Sequence, residues 1–455
     1  MKRISGALAV ASAAALVLSA CGGETAEPED TGTDTTTTED AADATDEAPA
    51  GDDAAETTEA APGDEAAGTD GPLLESDGTS IVIWSDDLRA AALEEHAQAF
   101  QDENGVEVKI QVVANERLRE QFNDSVGAGA GPDIVVGAHD WLGELVQNDV
   151  AAPIQLSSDA QALFTPESIE ATQYEGQIYG VPYAVESLAL IRNTDLAPEA
   201  PATMEELVET GSALVDAGEV EQIMMQEVGN EGNAYNMYPY LAAYGGGIFP
   251  VLDEGGFDGS QVILDSEETL QGAEKIAWLA EEGALTTSMD GSNVIPQFAE
   301  GNTAFMISGP WAIEQVTEAG INYAIDPIPD FEDGGSTSPF LGVQMFYVSA
   351  GSKNPQIAQT FVQEFVTLPE VQIALYEAGD RPPALIEAYE TVSADNEDIE
   401  AWGAAAEGGT PMPNIPQMNA VWGPLGKATA DIITGSDVAE RMATAQSEVE
   451  GALGR

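Results

Sequence analysis

Short apolar runs alternate with stretches of helical apolar spacing between residues 81 and 136. Strand-like runs occupy residues 81–84, 106–113 and 134–136, and helical spacing separates them in residues 93–100 and 118–126. This order of strand, helix, strand, helix and strand is typical of a parallel sheet that is covered by helices. The alternation therefore predicts an α/β fold.

The same alternation returns after Ser187. Residues 189–192 and 223–226 have strand character, a helical pattern covers residues 204–217 between them, and the last third of the chain has mainly helical patterns. In open α/β sheets, ligands bind beyond the carboxyl ends of the strands. Two such units in one chain therefore predict two lobes with a ligand cleft.

The N-terminus has the pattern of an export signal. Lys2 and Arg3 precede an apolar run, residues 4–20, that is too short and too rich in alanine for a convincing membrane span. Residues 18–21, Leu-Ser-Ala-Cys, resemble the bacterial lipobox, which implies cleavage of residues 1–20, lipidation of Cys21 and anchoring to the outer face of the cell membrane. An ordinary secretory signal with an incidental cysteine is the alternative.

A strongly acidic segment follows the signal. Residues 22–78 contain 19 acidic residues and no basic or aromatic residue. Such a segment buries too little apolar surface to offset the entropy of ordering, so we predict a disordered tether over residues 21–78, with a passive solubilising tail as the alternative. Residues 79–455 still carry 62 acidic and 11 basic residues, a net charge of −51. This charge argues against nucleic acid as a partner.

The usual catalytic and metal-binding motifs are absent from the sequence. It contains no Gly-x-Ser-x-Gly elbow, no phosphate-binding P-loop and no His-Glu-x-x-His. One cysteine and two histidines, His96 and His139, exclude a disulfide framework and a three-histidine zinc site. We therefore expect no catalytic residue, no metal and no cofactor. A glycoside hydrolase needs only two carboxylates, so this class remains a remote alternative.

Four motifs follow one another along the folded part of the chain. They are Gly-Pro-Asp-Ile at residues 131–134 running on to Asp140, Pro-Tyr-Ala-Val-Glu at 182–186, Asn-Thr-Ala at 302–304 leading to Gly-Pro-Trp at 309–311, and Met-Pro-Asn-Ile-Pro-Gln-Met at 412–418 leading to Trp422. Together they resemble the maltose/maltodextrin-binding protein family of bacterial ABC importers. The last motif is the most specific to the maltose branch, and the resemblance extends from residue 81 to the C-terminus.

The resemblance implies a two-lobed periplasmic-binding-protein fold with a hinge and an interlobe ligand cleft that closes on a sugar. It implies one lobe from residues 79–185 plus 341–392 and another from 186–340 plus 393–455. The partners it implies are the membrane subunits of an ABC importer, and we expect the binding protein itself to be a monomer.

The family's sugar-binding positions also carry over to this sequence. Carboxylates and arginine suit sugar hydroxyls, and flat aromatic rings suit the C–H faces of a sugar. Asp87 and Arg89 approximate an acid–base pair for which Asp86 competes, and Trp141 is expected to compensate for Gly137, where the family has an aromatic residue. The predicted sugar-binding residues are Asp87, Arg89, Asp140, Trp141, Glu186, Glu227, Tyr235, Trp311, Met412 and Trp422.

These patterns together predict a lipid-anchored, extracytoplasmic protein that delivers maltose- or maltodextrin-type α-glucosides to an importer. The changes at Gly137, Trp141, Gly423 and Gly426 depart from the family pattern of aromatic residues and arginines. Trehalose, cyclodextrins and a non-sugar solute such as a peptide or a metal therefore remain open as ligands.

Overall fold

The computed structural model describes residues 73–252, 256–394 and 396–455, without the side chains of Glu95 and Glu116. The predicted signal peptide, Cys21 and the predicted tether up to residue 72 lie outside the described residues. Within these ranges, no helix combines the length and the apolar character that a membrane span requires.

The end of the predicted tether is wrong, because residues 73–77 pack against the folded body. The indole Nε1 of Trp84 donates a 2.8 Å hydrogen bond to the carbonyl oxygen of Leu74. The buried Ser76 hydroxyl donates to Asp133 Oδ1 over 2.6 Å, and Asp133 also accepts from the backbone N–H of Val82. The leucines at 73 and 74 interrupt the acidic composition, and Asp133 of the Gly-Pro-Asp motif ties this segment to the first strand.

The strands are, in chain order, β1 (Ser80–Ser85), β2 (Glu107–Val112), β3 (Ile134–Ala138), β4 (Ala151–Ala152), β5 (Gln173–Tyr174), β6 (Gln177–Ile178), β7 (Gly180–Glu186), β8 (Ala189–Asn193), β9 (Met225–Gln226), β10 (Phe305–Ser308), β11 (Tyr323–Asp326), β12 (Phe340–Ser349) and β13 (Thr410–Pro411).

The α-helices are α1 (Asp87–Asn104), α2 (Asn115–Gly127), α3 (Leu142–Gln147), α4 (Ser158–Gln161), α5 (Pro166–Ala171), α6 (Met204–Ala217), α7 (Ala234–Leu241), α8 (Glu267–Glu281), α9 (Val294–Ala299), α10 (Ile313–Glu318), α11 (Pro355–Thr360), α12 (Pro369–Glu377), α13 (Ile386–Ser393), α14 (Glu397–Ala406), α15 (Trp422–Ile433) and α16 (Val438–Ala452). Single 3-10 turns occupy His139–Trp141, Pro310–Ala312 and Pro416–Ala420, and a π turn occupies Phe361–Phe365.

One large sheet organises the first lobe. Its strand order is β13-β12-β3-β1-β2, with β4 and β7 also paired to the long strand β12. Strand β1 runs parallel to β2 and β3, as the alternation predicted, whereas β12 is antiparallel to β3 and β7. Two apolar clusters cover the faces of this sheet, and Trp84 is fully buried in one of them.

A second sheet organises the second lobe, in the order β11-β8-β10-β9. This sheet is mixed: β8 is antiparallel to β10 and β11, and only β10 and β9 are parallel. Hydrophobic periodicity predicts a strand but not the direction of its neighbours, so the sequence did not reveal this difference from the first sheet. Trp402 is buried in a core of this lobe.

Three connections join the two sheets and their helices. Strand β7 ends at Glu186 in the first sheet, and β8 begins at Ala189 in the second. The chain returns through β12, which follows β11 of the second sheet. Helix α13 then packs on the first lobe through Ala388, and α14 packs on the second through Trp402. The fold is therefore α/β with two lobes, as predicted.

Candidate functional site

A buried ion pair follows the first strand. Asp86 caps the N-terminus of α1, where its Oδ1 accepts from the backbone N–H of Arg89 at 3.1 Å and from Arg89 Nε at 2.9 Å. Burial opposes the charge on Asp86, but the adjacent guanidinium and its hydrogen bonds hold the pKa of this carboxyl below its usual value. Asp87 is exposed. The predicted pairing of Asp87 with Arg89 is thus wrong, because the capping position belongs to Asp86.

This ion pair is one end of a longer row of buried charges. Arg89 Nη1 donates to Gln344 Oε1 at 3.1 Å, and Gln344 Nε2 donates to Glu186 Oε1 at 2.7 Å. Arg381 Nε then donates to the other oxygen of Glu186. We call Asp86, Arg89, Gln344, Glu186 and Arg381 the charge chain. Its two cations and two anions balance, which reduces the cost of burying them.

Arg381 connects the charge chain to Trp311 of the second lobe. The guanidinium carbon lies 5.5 Å from the centre of the Trp311 ring, a cation–π contact. Trp311 lies on the 3-10 turn after β10, and a Cβ added at Gly309 would lie 2.1 Å from its ring. The glycine of the Gly-Pro-Trp motif is therefore required for this position of the indole.

Four aromatic rings and one carboxylate form the rest of the site. Tyr235 lies 6.4 Å from Trp311 and 6.1 Å from Phe340, measured between ring centres, and Phe340 lies 6.1 Å from Trp422. Trp422 Nε1 donates to Asp140 Oδ2 at 3.2 Å. We call Asp140, Tyr235, Trp311, Phe340 and Trp422 the aromatic site. Asp140 follows a strand of the first sheet, and the two tryptophans pack against the core of the second lobe.

The environment of Asp140 favours its protonated form. The residue is 7% exposed, and burial raises the pKa of its carboxyl to about 6, against the opposing effects of Arg119 and the Trp422 hydrogen bond. Nearby Glu144 acts in the same direction as burial. Asp140 is thus a hydrogen-bond acceptor that titrates close to neutral pH.

Several buried hydroxyls near the charge chain and the aromatic site lack a partner among the described residues. They are those of Ser85, Tyr183, Ser187 and Tyr235. Burial raises the pKa of the Tyr183 phenol, and Arg89 and Arg381 are close enough to oppose that shift. Buried polar groups are normally hydrogen-bonded, so these unpaired hydroxyls are exceptions that lie close to the carboxylates and arginines of the site.

Trp141 follows Asp140 in the chain, but its ring packs in the first lobe. Its side chain is part of a first-lobe core, and its ring stacks on Tyr347 with 6.4 Å between centres and 6° between planes. A Cβ added at Gly137 would lie 1.9 Å from the Trp141 ring. Trp141 therefore occupies the space above Gly137, and it does so as a residue of the first-lobe core.

Met412 and Glu227 are the remaining predicted sugar-binding residues. The Met412 side chain packs in the second-lobe core, and its carbonyl oxygen accepts from His139 Nε2 at 2.9 Å. His139 Nδ1 accepts from the backbone N–H of Val343, and burial lowers the pKa of this imidazole to about 4. Neutral His139 thus connects the backbone of Met412 to the backbone of Val343. Glu227 follows β9, is half-buried and accepts from Asn233 Nδ2 at 2.9 Å.

Sequence reasoning missed Arg381 and Gln344. Arg381 is one of only 11 basic residues in residues 79–455 and lies between an aspartate and two prolines. Gln344 is the one amide in the apolar strand Phe340–Ser349. A lone amide in a buried strand, or a cation next to two prolines in so acidic a chain, is a usable signal. As for metals, no group of three or more ligating side chains in the described part of the chain has a geometry that could hold an ion.

Several known proteins are similar to this chain over most of its length. A model of the bacterial extracellular solute-binding protein family matches residues 95–407. The chain is 31% identical to a maltotriose-binding protein of Pyrococcus abyssi (strain GE5 / Orsay) over 324 residues, which is 70% of this chain and 69% of the relative.

Two further relatives cover more of both chains. A galactooligosaccharide-binding protein of Bacillus subtilis (strain 168) is 29% identical over 79% of this chain and 86% of its own. A maltooligosaccharide ABC transporter solute-binding lipoprotein of Streptococcus pneumoniae (strain ATCC BAA-255 / R6) is 28% identical over 81% of this chain and 87% of its own. With the two-lobed α/β fold and the family match to residues 95–407, the chain belongs to the bacterial extracellular solute-binding proteins.

Proposed function

We propose that this protein is a lipid-anchored, extracytoplasmic component of an ABC importer that captures maltose- or maltodextrin-type oligosaccharides between its lobes. The observation that carries the proposal is the aromatic site, where Trp311, Trp422 and Tyr235 adjoin buried carboxylates and unpaired hydroxyls. The names of the relatives support an oligosaccharide as the ligand.

Each group has a role that follows from its chemistry. Trp311 and Trp422 stack on the C–H faces of sugar rings, and Asp140 and Glu186 accept hydrogen bonds from sugar hydroxyls. Tyr235 contributes a ring edge and a buried hydroxyl. Asp86, in place of Asp87, orients Arg89, and Arg381 orients Glu186 and Trp311. We retain Glu227 at the end of β9 as a contact in the second lobe.

The chain limits of the proposed lobes are residues 79–185 plus 341–392 and residues 186–340 plus 393–455. The binding protein acts by hinge closure, without chemical change of the sugar, and interacts with the importer as a monomer.

Cys21 carries the lipid, and the acidic segment after it holds the body away from the membrane. The Cys21→Ala variant should therefore leave the membrane fraction while keeping full sugar affinity.

A thermal-shift and calorimetry screen tests the ligand class. Maltotriose should raise the melting temperature, since a ligand that binds only the folded state stabilises it. Maltose, trehalose, cyclodextrins, galactooligosaccharides and short peptides form the comparison set, and incubation with maltotriose should release no glucose. The Bacillus subtilis relative makes galactooligosaccharides the second candidate. Stabilisation by a peptide and by none of the sugars would refute the proposal.

A further inference from the structure

His139 lies directly before Asp140, in the 3-10 turn that follows β3. Its imidazole is 2% exposed, and the function proposed above gives it no contact with the sugar. Buried polar groups are normally hydrogen-bonded, so the partners of this ring determine what it does.

Both ring nitrogens of His139 are paired, and the pairing fixes the tautomer. The backbone N–H of Val343 can only donate, so Nδ1, which accepts from it at 3.0 Å, carries no proton. Nε2 then carries the proton and donates to the carbonyl oxygen of Met412 at 2.9 Å. Burial lowers the pKa of the ring to about 4, against the opposing effects of the two backbone bonds and of Glu186. The ring is therefore neutral above about pH 5.

The two bonds of His139 reach different parts of the molecule. Val343 lies in β12, which is already paired with β3, so this bond adds little to a contact that the sheet makes anyway. Met412 lies just after β13, on the segment that leads to Trp422. Trp422 Nε1 in turn donates to Asp140, the neighbour of His139, at 3.2 Å. His139 thus connects the two partners of this hydrogen bond, one through the chain and the other through Met412.

The segment between Met412 and Trp422 is compact. The backbone N–H of Met418 donates to the carbonyl oxygen of Ile415, and that of Val421 donates to the carbonyl oxygen of Met418, both at 3.0 Å. Met418 and Val421 are also fully buried. A displacement at one end of this segment is therefore transmitted to the other.

We propose that His139 is a positioning residue for the sugar site, because its bond to Met412 holds the segment before Trp422 where the indole can donate to Asp140. The bond from Trp422 to Asp140 is at the long end of the N–H···O range, so a small displacement would break it. The effect on affinity rests on the sugar-binding function proposed above, whereas the positioning itself can be measured without sugar.

His139→Asn and His139→Gln form a matched pair, because each keeps one of the two hydrogen bonds. The asparagine amide oxygen takes the position of Nδ1 and can accept from Val343, and the glutamine amide nitrogen takes the position of Nε2 and can donate to Met412. Each variant loses one bond to a backbone group, so their melting temperatures should be similar. Only His139→Asn should displace Trp422.

The indole signal of Trp422 is the direct measurement, in the ligand-free full chain labelled with ¹⁵N-tryptophan. The chain has six tryptophans, and Trp422→Phe identifies the signal. Because burial raises the pKa of Asp140 to about 6, the signal should shift between pH 5 and pH 7 in the wild type and in His139→Gln. In His139→Asn the shift should largely disappear. Equal shifts in the two variants, or none in the wild type, would overturn the proposal.

Asp140→Asn is the control for other titrating groups. Arg119, Glu144, Tyr235 and Tyr347 also face Asp140, and burial raises the pKa of the Glu144 carboxyl as well. The shift of the Trp422 signal should vanish in Asp140→Asn. A shift that persists there would come from another group and would overturn the proposal.

Gln372→Leu is the control for the loss of buried hydrogen bonds in the first lobe. Gln372 is fully buried, donates to the carbonyl oxygen of Pro182 at 3.1 Å and accepts from the backbone N–H of Leu385 at 3.3 Å. This variant should lower the melting temperature and leave the shift of the Trp422 signal intact. Loss of the shift here as well would make general destabilisation the cause.

The tautomer of His139 tests the same geometry without a change at the site, should either variant fail to fold. The chain has two histidines, and His96→Gln identifies the signals of His139 in ¹⁵N-histidine-labelled protein. A proton on Nε2 and none on Nδ1 is expected from pH 5 to pH 7. A proton on Nδ1 would exclude the bond from Val343 and overturn the proposal.

Maltotriose affinity tests the consequence for binding. His139→Asn should bind about tenfold more weakly than the wild type, the scale of a hydrogen bond to a charged group, and His139→Gln nearly as well as the wild type. In a Trp422→Phe background the two variants should bind alike, because the indole N–H is already gone. A tenfold difference that persists in that background would overturn the proposal. If the wild type does not bind maltotriose, the proposed function fails, and the Trp422 signal still decides the role of His139.

Discussion

Both lobes place a tryptophan ring over a glycine, but the two rings have different surroundings. In each lobe a sheet strand leads into a 3-10 turn whose tryptophan lies over a glycine: Trp141 lies over Gly137, within β3, and Trp311 lies over Gly309, which directly precedes its turn. Trp141 is 7% exposed and stacks within the first-lobe core, whereas Trp311 is half-buried and contacts Arg381 and Tyr235. A glycine beneath an indole therefore fixes the position of the ring, and the neighbouring residues decide whether it packs in the core or faces a ligand.

The largest expected effect is on the first-lobe tryptophan. Trp141→Ala removes a buried ring that stacks on Tyr347, and truncation of a core tryptophan costs about 3–5 kcal/mol of unfolding free energy. Denaturant unfolding and maltotriose calorimetry on the same variant measure both consequences. We expect a large loss of stability with little change in affinity of the folded fraction. The reverse result would place Trp141 in the sugar site and remove the contrast between the lobes.

The second-lobe tryptophan should show the opposite pattern. Trp311→Ala should weaken maltotriose binding by about 2 kcal/mol, or roughly thirty-fold, with a smaller change in unfolding free energy. Trp278→Ala is the matched control, because Trp278 is also half-buried on the second lobe but contacts Lys275 and Phe331. Equal losses of affinity in the two variants would mean that general destabilisation, and not stacking, explains the effect.

The two turns also differ in their titratable groups. The first-lobe turn carries Asp140, whose carboxyl pKa is raised to about 6 by burial, and the turn Pro310–Ala312 carries no titratable side chain. Because the ionised carboxylate is the better acceptor, maltotriose affinity should be about tenfold lower at pH 5 than at pH 7. Asp140→Asn should abolish this dependence, measured by calorimetry across the range. A wild-type profile that is flat from pH 5 to pH 7 would contradict the role of Asp140.

The same pKa makes an opposite prediction for folding. The folded-state pKa of Asp140 is raised above its unfolded value, so the folded state binds the proton more tightly. The contribution of Asp140 to stability is thus fully present below about pH 4 and is lost as pH rises through about 6. As the pH rises from 5 to 7, sugar affinity should therefore increase, while the contribution of Asp140 to the free energy of unfolding decreases.

Salt should affect the two lobes alike and have the smallest effect. The net charge of −51 on residues 79–455 repels itself, and raising the salt from about 0.01 M to about 0.1 M shortens the Debye length from about 30 Å to about 10 Å. The melting temperature of the ligand-free protein should rise by a few degrees, with little change in affinity for a neutral sugar. A falling melting temperature would show that specific ion pairs outweigh the repulsion.

The contrast between the lobes also shows what the sequence could and could not predict. The apolar pattern was sufficient for β1 to β3 and the helices between them, because β1 and β3 are continuous apolar runs that are buried on both faces and each helix repeats its apolar residues at helical spacing. It could not distinguish Trp141 from Trp311, because burial depends on residues that are distant in sequence. The partner of Arg89 depended on which aspartate caps α1. Arg381 joins the site only through tertiary contacts with Glu186 and Trp311. The binding roles themselves remain predictions.

The central claim is that the aromatic site binds the sugar, and Trp422 tests it most directly. Its indole donates to Asp140 and packs edge-on against Phe340, so it joins the first-lobe carboxylate to the second-lobe rings. Calorimetry with maltotriose and ligand-free melting should be measured on Trp422→Ala and on the wild type. We predict affinity about thirty-fold weaker, with a much smaller change in ligand-free stability. A loss of about 3–5 kcal/mol in stability with nearly unchanged affinity would contradict the account, because Trp422 would then be a core residue.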